Sequence, residues 1–128
     1  MTRRELNAVR RLSKRQAAYE EELGLLEPRV VRPLNDNPSR AHYSSQVERL
    51  TIRKVELEKA MRTLQGEIIR WKERIDAQLR QISAPLAYKV MYLRYVECYS
   101  FREIAHLLKQ PLAKIYRIHN ENEKKVLD

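Results

Sequence analysis

Cysteine is nearly absent from the chain: Cys98 stands alone, so no internal disulfide can form and no cysteine zinc cluster can be assembled. That usage agrees with a reducing compartment, and stability must come from packing. Glycine is almost as scarce, with two in 128 residues beside five prolines. So few turn makers exclude an all-β fold, a glycine-rich nucleotide cradle and a collagen-like repeat. Long apolar runs are missing as well. No stretch approaches the ~20 uncharged apolar residues that cross a bilayer, and residues 1 to 7 are not followed by the apolar run of a signal peptide. The expectation is a soluble, cytoplasmic protein with no membrane partner, built as one domain or two very small ones.

What the chain does have is positive charge. Lys and Arg number 26 against 17 Asp and Glu, a formal charge of +9, which suits a polyanionic partner.

From residue 7 to residue 26, Val9, Leu12, Tyr19, Leu23 and Leu26 recur at a three-four spacing, with Gln16 in the gap, and predict an amphipathic helix. Its first half carries Arg3, Arg4, Arg10, Arg11, Lys14 and Arg15, and Glu20 to Glu22 follow, so the strip is either a solvated face or a phosphate-binding one. Pro28, Pro33 and Pro38, with Asn35-Asp36-Asn37 between the last two, predict a loop from about 27 to 40.

A second helix is predicted over 43 to 82. Tyr43, Val47, Leu50, Leu57, Met61, Leu64, Ile68, Trp71 and Ile75 fall on one heptad seam that ends at Ile82, interrupted only by Lys54 and Gln78. A helix of that length cannot bury its stripe alone. The first helix can fold back antiparallel over part of it. Ile68, Trp71, Ile75 and Leu79 are then left for the C-terminal unit or a second chain. Leu57, Met61, Leu64, Ile68, Trp71 and Ile75 are therefore the candidate oligomer or partner seam. Gly66, inside this helix, marks either a bend or close crossing, or a tolerated surface position.

Ser83-Ala84-Pro85 interrupts the pattern, and three short helices are predicted beyond it, at about 86 to 97, 101 to 108 and 111 to 126. Ser100-Phe101-Arg102-Glu103 has the form of a capping box, with the hydroxyl taking the Glu103 amide and the carboxylate reaching back to the Ser100 amide. Ile104, Ala105 and Leu108 then point inward. After a break at Lys109-Gln110, Ile115 and Ile118 join the same core, which is helix-turn-helix spacing or that of an ordinary helical hairpin.

With Ile115 and Ile118 inside, the 100° step puts Ala113, Lys114, Arg117 and Asn120 outside, flanked by Leu112 and Tyr116. Arg or Lys can pair with guanine O6 and N7, Asn with adenine N6 and N7, and Leu or Ala can touch a thymine methyl. Lys114, Arg117 and Asn120 are the candidate base readers. Arg102, Lys109 and Tyr116 are better placed for phosphates, with Gln110 beside them in the turn. A solvated helix face is the competing reading of each residue taken singly.

The stretch from 89 to 127 resembles the region-four helix-turn-helix of bacterial sigma factors. The resemblance lies in Leu93-Arg94-Tyr95, Ser100 through Ala105, Leu108, and Ile115-Tyr116-Arg117-Ile118-His119. The run from Tyr116 to Asn120 is similar to that of small phage-encoded regulators of the ArpU and RinA kind, which also place a helical segment before a sigma-like reader. The resemblance implies sequence-specific binding at a phage or prophage promoter, commonly to switch on late genes. Two residues depart from the pattern. Lys109 stands where many helix-turn-helix proteins have glycine. Pro111 replaces the usual Ser or Thr cap, and fits the first helical position if Gln110 is the cap.

Nothing points to catalysis or a cofactor. His42, His106 and His119 are scattered without partners at metal-ligand spacing, and neither Cys98 nor the serines have an activating context. The tyrosines at 88, 92, 95 and 99 follow helical spacing and are read as core or seam residues. The whole is expected to be all-α, with a long antiparallel helical hairpin over 1–83 and a small helix-turn-helix domain over 84–128. The expected partners are double-stranded DNA, a second copy of the chain in a dimer, and RNA polymerase or another phage or host protein. A small-terminase-like packaging component and a coiled-coil adaptor are the alternatives.

Overall fold

The computed structural model describes residues 1–26 and 40–128, with side chains in the long helix from residue 45 onward. The expected proline-rich loop and the side chain of seam residue Tyr43 lie outside the described residues. The fold is all-α. Among the described residues there are six helices: α1 Arg3–Leu6, α2 Ala8–Leu25, α3 Arg40–Leu79, α4 Pro85–Tyr95, α5 Phe101–Leu108 and α6 Leu112–Val126.

The first helical turn starts earlier than residue 7 because Thr2 caps it, its hydroxyl accepting the Glu5 amide at 3.1 Å. Asn7 then breaks the path, its side-chain amide donating to the Arg3 carbonyl at 2.9 Å. α3 runs through Gly66, where an added Cβ would meet nothing within 4 Å, so this glycine is a tolerated position and not a close crossing. The helix stops at Leu79 rather than at Ile82. Gln81 and Ile82 turn back in tighter bonds to Gln78 and Leu79, at 3.3 and 3.0 Å, before Pro85 opens α4.

The described chain divides into two compact units, Met1–Ser13 together with Gly66–Asp128, and Lys14–Gln65. These divisions fall elsewhere than the expected boundary at 83/84. The N-terminal segment belongs with the C-terminal helices: Arg3 pairs with Glu123 at 3.2 Å, and the Asp128 amide donates to the Met1 carbonyl at 3.1 Å.

In the first unit Leu6, Ala8, Ile75, Leu79, Val90 and Met91 are all 0% exposed. The Tyr88 hydroxyl donates to Asp76, tying α4 to α3. Ile68, Ile75 and Leu79 are therefore covered within the chain, and burying them needs no second copy. Trp71 remains half-buried, with the Arg74 guanidinium 4.5 Å above its ring.

In the second unit Glu22 on α2 pairs with Arg53 on α3 at 2.8 Å, which sets the end of α2 beside the first half of α3. Leu57 and Leu64 are buried and Met61 is half-buried, whereas Val47, Leu50, Ile52 and Val55 remain exposed.

Candidate nucleic-acid interface

α4, α5 and α6 pack on one another around Val90, Ile104 and Ile115, each fully buried, with Leu93, Tyr99, Phe101, Ala105, Leu108 and Ile118 closing the rim. At ~25 cal/mol per Å², each of these aliphatic side chains contributes about 1.5–3 kcal/mol on burial. The cap of α5 differs from the expected box in one bond. The Ser100 hydroxyl accepts the Glu103 amide at 3.2 Å, and it also donates to the Glu103 carboxylate at 3.0 Å.

The turn is built on a left-handed Lys109, at φ 53° and ψ 46°. The Gln110 amide donates back to the Ala105 carbonyl at 3.0 Å, so an otherwise unpaired helix-end carbonyl is satisfied. A lysine pays a steric cost in this conformation that glycine does not. Lys109→Gly should therefore raise the unfolding free energy by ~1 kcal/mol, measured by urea titration, while Lys109→Ala leaves it within ~0.5 kcal/mol.

The start of α6 is one residue later than expected. Pro111 is its cap, at φ −60° and ψ 141°, and its carbonyl accepts the Lys114 and Ile115 amides at 3.0 and 3.2 Å. The extended ψ takes Pro111 out of the first helical position, and with it Gln110 out of the cap. A second left-handed residue, Cys98 at φ 61°, turns the chain just beyond α4, with the Tyr99 amide donating to the Leu93 carbonyl at 2.9 Å. No glycine marked it in the sequence.

On α6, Ile115, His119, Asn122 and Val126 face inward. Ala113, Arg117 and Asn120 are exposed, while Leu112 and Lys114 sit half-exposed at the rim. Tyr116 is 44% exposed, and its ring lies 4.7 Å from that of Phe101. Arg102 and Lys109 are exposed and Gln110 is half-exposed. Glu121 and Lys124, which sequence reasoning passed over, are also exposed. Both follow from the same 100° step, Glu121 one turn beyond Arg117, and Glu121 adds an acceptor suited to a cytosine amino group.

The more informative omission is His119. It is 7% exposed and lies between two aromatic rings, stacked on Tyr95 at 5.6 Å and edge-on to Phe101 at 4.8 Å. Tyr95 Oη lies 2.6 Å from His119 Nε2, and Asn120 Oδ1 lies 3.2 Å from Nδ1. Its place four residues after Ile115, with Asn122 and Val126 continuing the series, was the available signal. Beside it the Arg94 guanidinium covers Phe101 at 4.1 Å and donates to the Tyr99 carbonyl at 3.2 Å.

Burial pushes the Tyr95 phenol up to about 12 and holds the His119 imidazole below its ordinary 6.5, against the opposing pull of the Asn120 bond and the Glu123 carboxylate. As pH falls, the unfolded chain therefore binds the histidine proton first. The stability His119 contributes is complete above about 6.5 and is lost as pH drops below that value toward the lowered folded one. Urea titrations at pH 7.5 and 5.5 should show the native chain weakening more than His119→Phe. Equal slopes for the two would remove this assignment.

Neither a family model, nor a curated protein, nor a solved structure matches this chain.

Proposed function

We propose that the protein binds double-stranded DNA with base preference and acts in transcription regulation, with α6 lying in the major groove. One observation carries the reading. Ala113, Arg117 and Asn120 stand exposed on a helix whose other face closes a core with α5 across a left-handed turn. That is the arrangement a reader helix needs. Arg117 and Asn120 supply base-edge chemistry, with Lys114 at the rim, while Arg102, Lys109 and the Tyr116 hydroxyl meet phosphates. The formal charge of +9 draws the duplex in. The resemblance of residues 89 to 127 to sigma region four and to ArpU and RinA regulators supports a phage or prophage promoter, and RNA polymerase as a neighbour there.

Selection of bound sites from random duplex DNA at modest ionic strength tests the reading, and an enriched motif is expected. Recovery of unselected sequence at every round would overturn it.

Exposed Val47, Leu50, Ile52 and Val55 on α3 support self-association outside the reader. Light scattering at low micromolar concentration should return a dimer mass, which drops to that of one chain in Ile52→Glu/Val55→Glu. Eight or more chains would favour DNA packaging, and a monomeric native protein would remove self-association altogether.

A further inference from the structure

We propose that His119, a buried residue that touches no base, sets the specificity of Asn120 by holding its side-chain oxygen, so that Asn120 offers donors to the groove and selects guanine over adenine. The inference rests on the DNA-binding reading and names the chemistry of its site.

The starting point is the buried phenol of Tyr95. Tyr95 is 6% exposed and keeps its proton across the physiological range. A buried hydroxyl that fails to donate leaves a polar group desolvated without return. His119 Nε2 lies within reach at 2.6 Å, and the Glu123 carboxylate, the other group facing that nitrogen, stands farther off at 3.5 Å. If Tyr95 Oη–H donates to Nε2, that nitrogen carries no proton, and the neutral imidazole must hold its hydrogen on Nδ1. That hydrogen is aimed at Asn120 Oδ1, 3.2 Å away. The ring cannot turn freely, because Tyr95 and Phe101 pack it at 5.6 and 4.8 Å. One buried hydroxyl thus fixes a tautomer, the tautomer fixes an amide, and the amide is exposed on the outward side of α6.

The consequence for base reading follows from the groove's donor and acceptor pattern. Adenine is read by an amide whose oxygen accepts from N6 while its nitrogen donates to N7. His119 takes one of the two lone pairs of the Asn120 oxygen and so keeps that oxygen turned toward the ring, which leaves the amide nitrogen with its two N–H donors on the other side of the group. Guanine presents O6 and N7, both acceptors, and asks only for donors.

Nitrogen NMR of the free protein at pH 7.5 comes first, and is expected to show the His119 proton on Nδ1. Site selection follows with the native chain, Asn120→Ala, His119→Gln and His119→Asn. The base pair whose preference Asn120→Ala abolishes should be guanine in the native motif, favoured over adenine on the order of tenfold. His119→Gln reaches toward Tyr95 but has no donor in the Nδ1 place, and should bring the two purines within about twofold. His119→Asn places an amide donor close to the Nδ1 position and should restore guanine, which a merely structural role for the ring would not do. A proton on Nε2, adenine at that position, or an unchanged preference in His119→Gln removes this proposal alone. Absence of any enriched motif removes the DNA-binding reading and this proposal with it.

Discussion

Ile115→Ala should lower the unfolding free energy by about 2–5 kcal/mol, the largest single-residue effect expected in the chain. Ile115 is 0% exposed and sits where α4, α5 and α6 meet, so truncation removes buried methyl groups and leaves a cavity that three helices must collapse to fill. Against the 5–15 kcal/mol by which whole domains are stable, that loss takes a large share. Urea titration at pH 7.5 measures it, with Leu107→Ala as the control. Leu107 is 53% exposed on α5 and should cost less than ~0.5 kcal/mol. Ile115→Val, which removes one methyl group, should fall between them at about 0.5–1.5 kcal/mol. If Ile115→Ala matches Leu107→Ala, the three helices do not share the core assigned to them. DNA affinity should fall in Ile115→Ala only as far as the folded fraction falls, because the side chain faces away from the groove.

Much of this arrangement was legible in the sequence, and the reasons are specific. Ile104, Ala105, Leu108, Ile115 and Ile118 lie close in the chain, and their spacing alone decides that two short helices share a core. Ser100 and Glu103 announced the start of α5, since a cap acts within one turn. The long seam was read correctly as a helix, but whether the C-terminal unit or a second chain covers Ile68, Ile75 and Leu79 stayed open until the structure showed them buried within the chain. That question turns on which distant segment returns to it, and periodicity carries no information about tertiary partners. The placing of Met1–Ser13 with the C-terminal helices was hidden for the same reason. It rests on pairs such as Arg3 with Glu123, which are separated by nearly the whole chain. Cys98 shows a third kind of gap. Left-handed residues are legible when they are glycine; Lys109 was marked only because the resemblance puts a glycine at its place, and nothing marked Cys98.

Those differences bear on the site unevenly. Moving Pro111 from first helical residue to cap changes where α6 begins, yet Arg117 and Asn120 keep their outward aspect, because Ile115, His119, Asn122 and Val126 fix the rotation of the helix from its buried side. Lys114, half-exposed at the rim, is the residue whose role shrinks. A side chain partly packed beside the core reaches a base edge less readily than one at the crest of the helix. On the proposed DNA-binding reading, the burden of base recognition passes to Arg117.

Arg117→Ala should therefore relax preference at one base pair by ~1–3 kcal/mol, roughly 5- to 150-fold, while leaving folding stability within ~0.5 kcal/mol because the side chain is exposed. An arginine at this crest can donate two parallel bonds to guanine O6 and N7, and a misplaced base leaves those donors unpaired in a groove stripped of water. Lys109→Ala makes the necessary contrast. On the proposed reading Lys109 meets a phosphate from its exposed place in the turn, so its loss should weaken every duplex alike and reduce the slope of log affinity against log salt by about one. Competition binding over a panel of single-base variants of the selected site, repeated at several salt concentrations, separates the two behaviours. If both substitutions weaken all duplexes equally, Arg117 contacts only the backbone and the assignment of α6 as the base-reading helix fails. If Arg117→Ala changes one position and Lys109→Ala changes the salt slope, the outward face of α6 reads sequence and the turn before it anchors the protein to the strand.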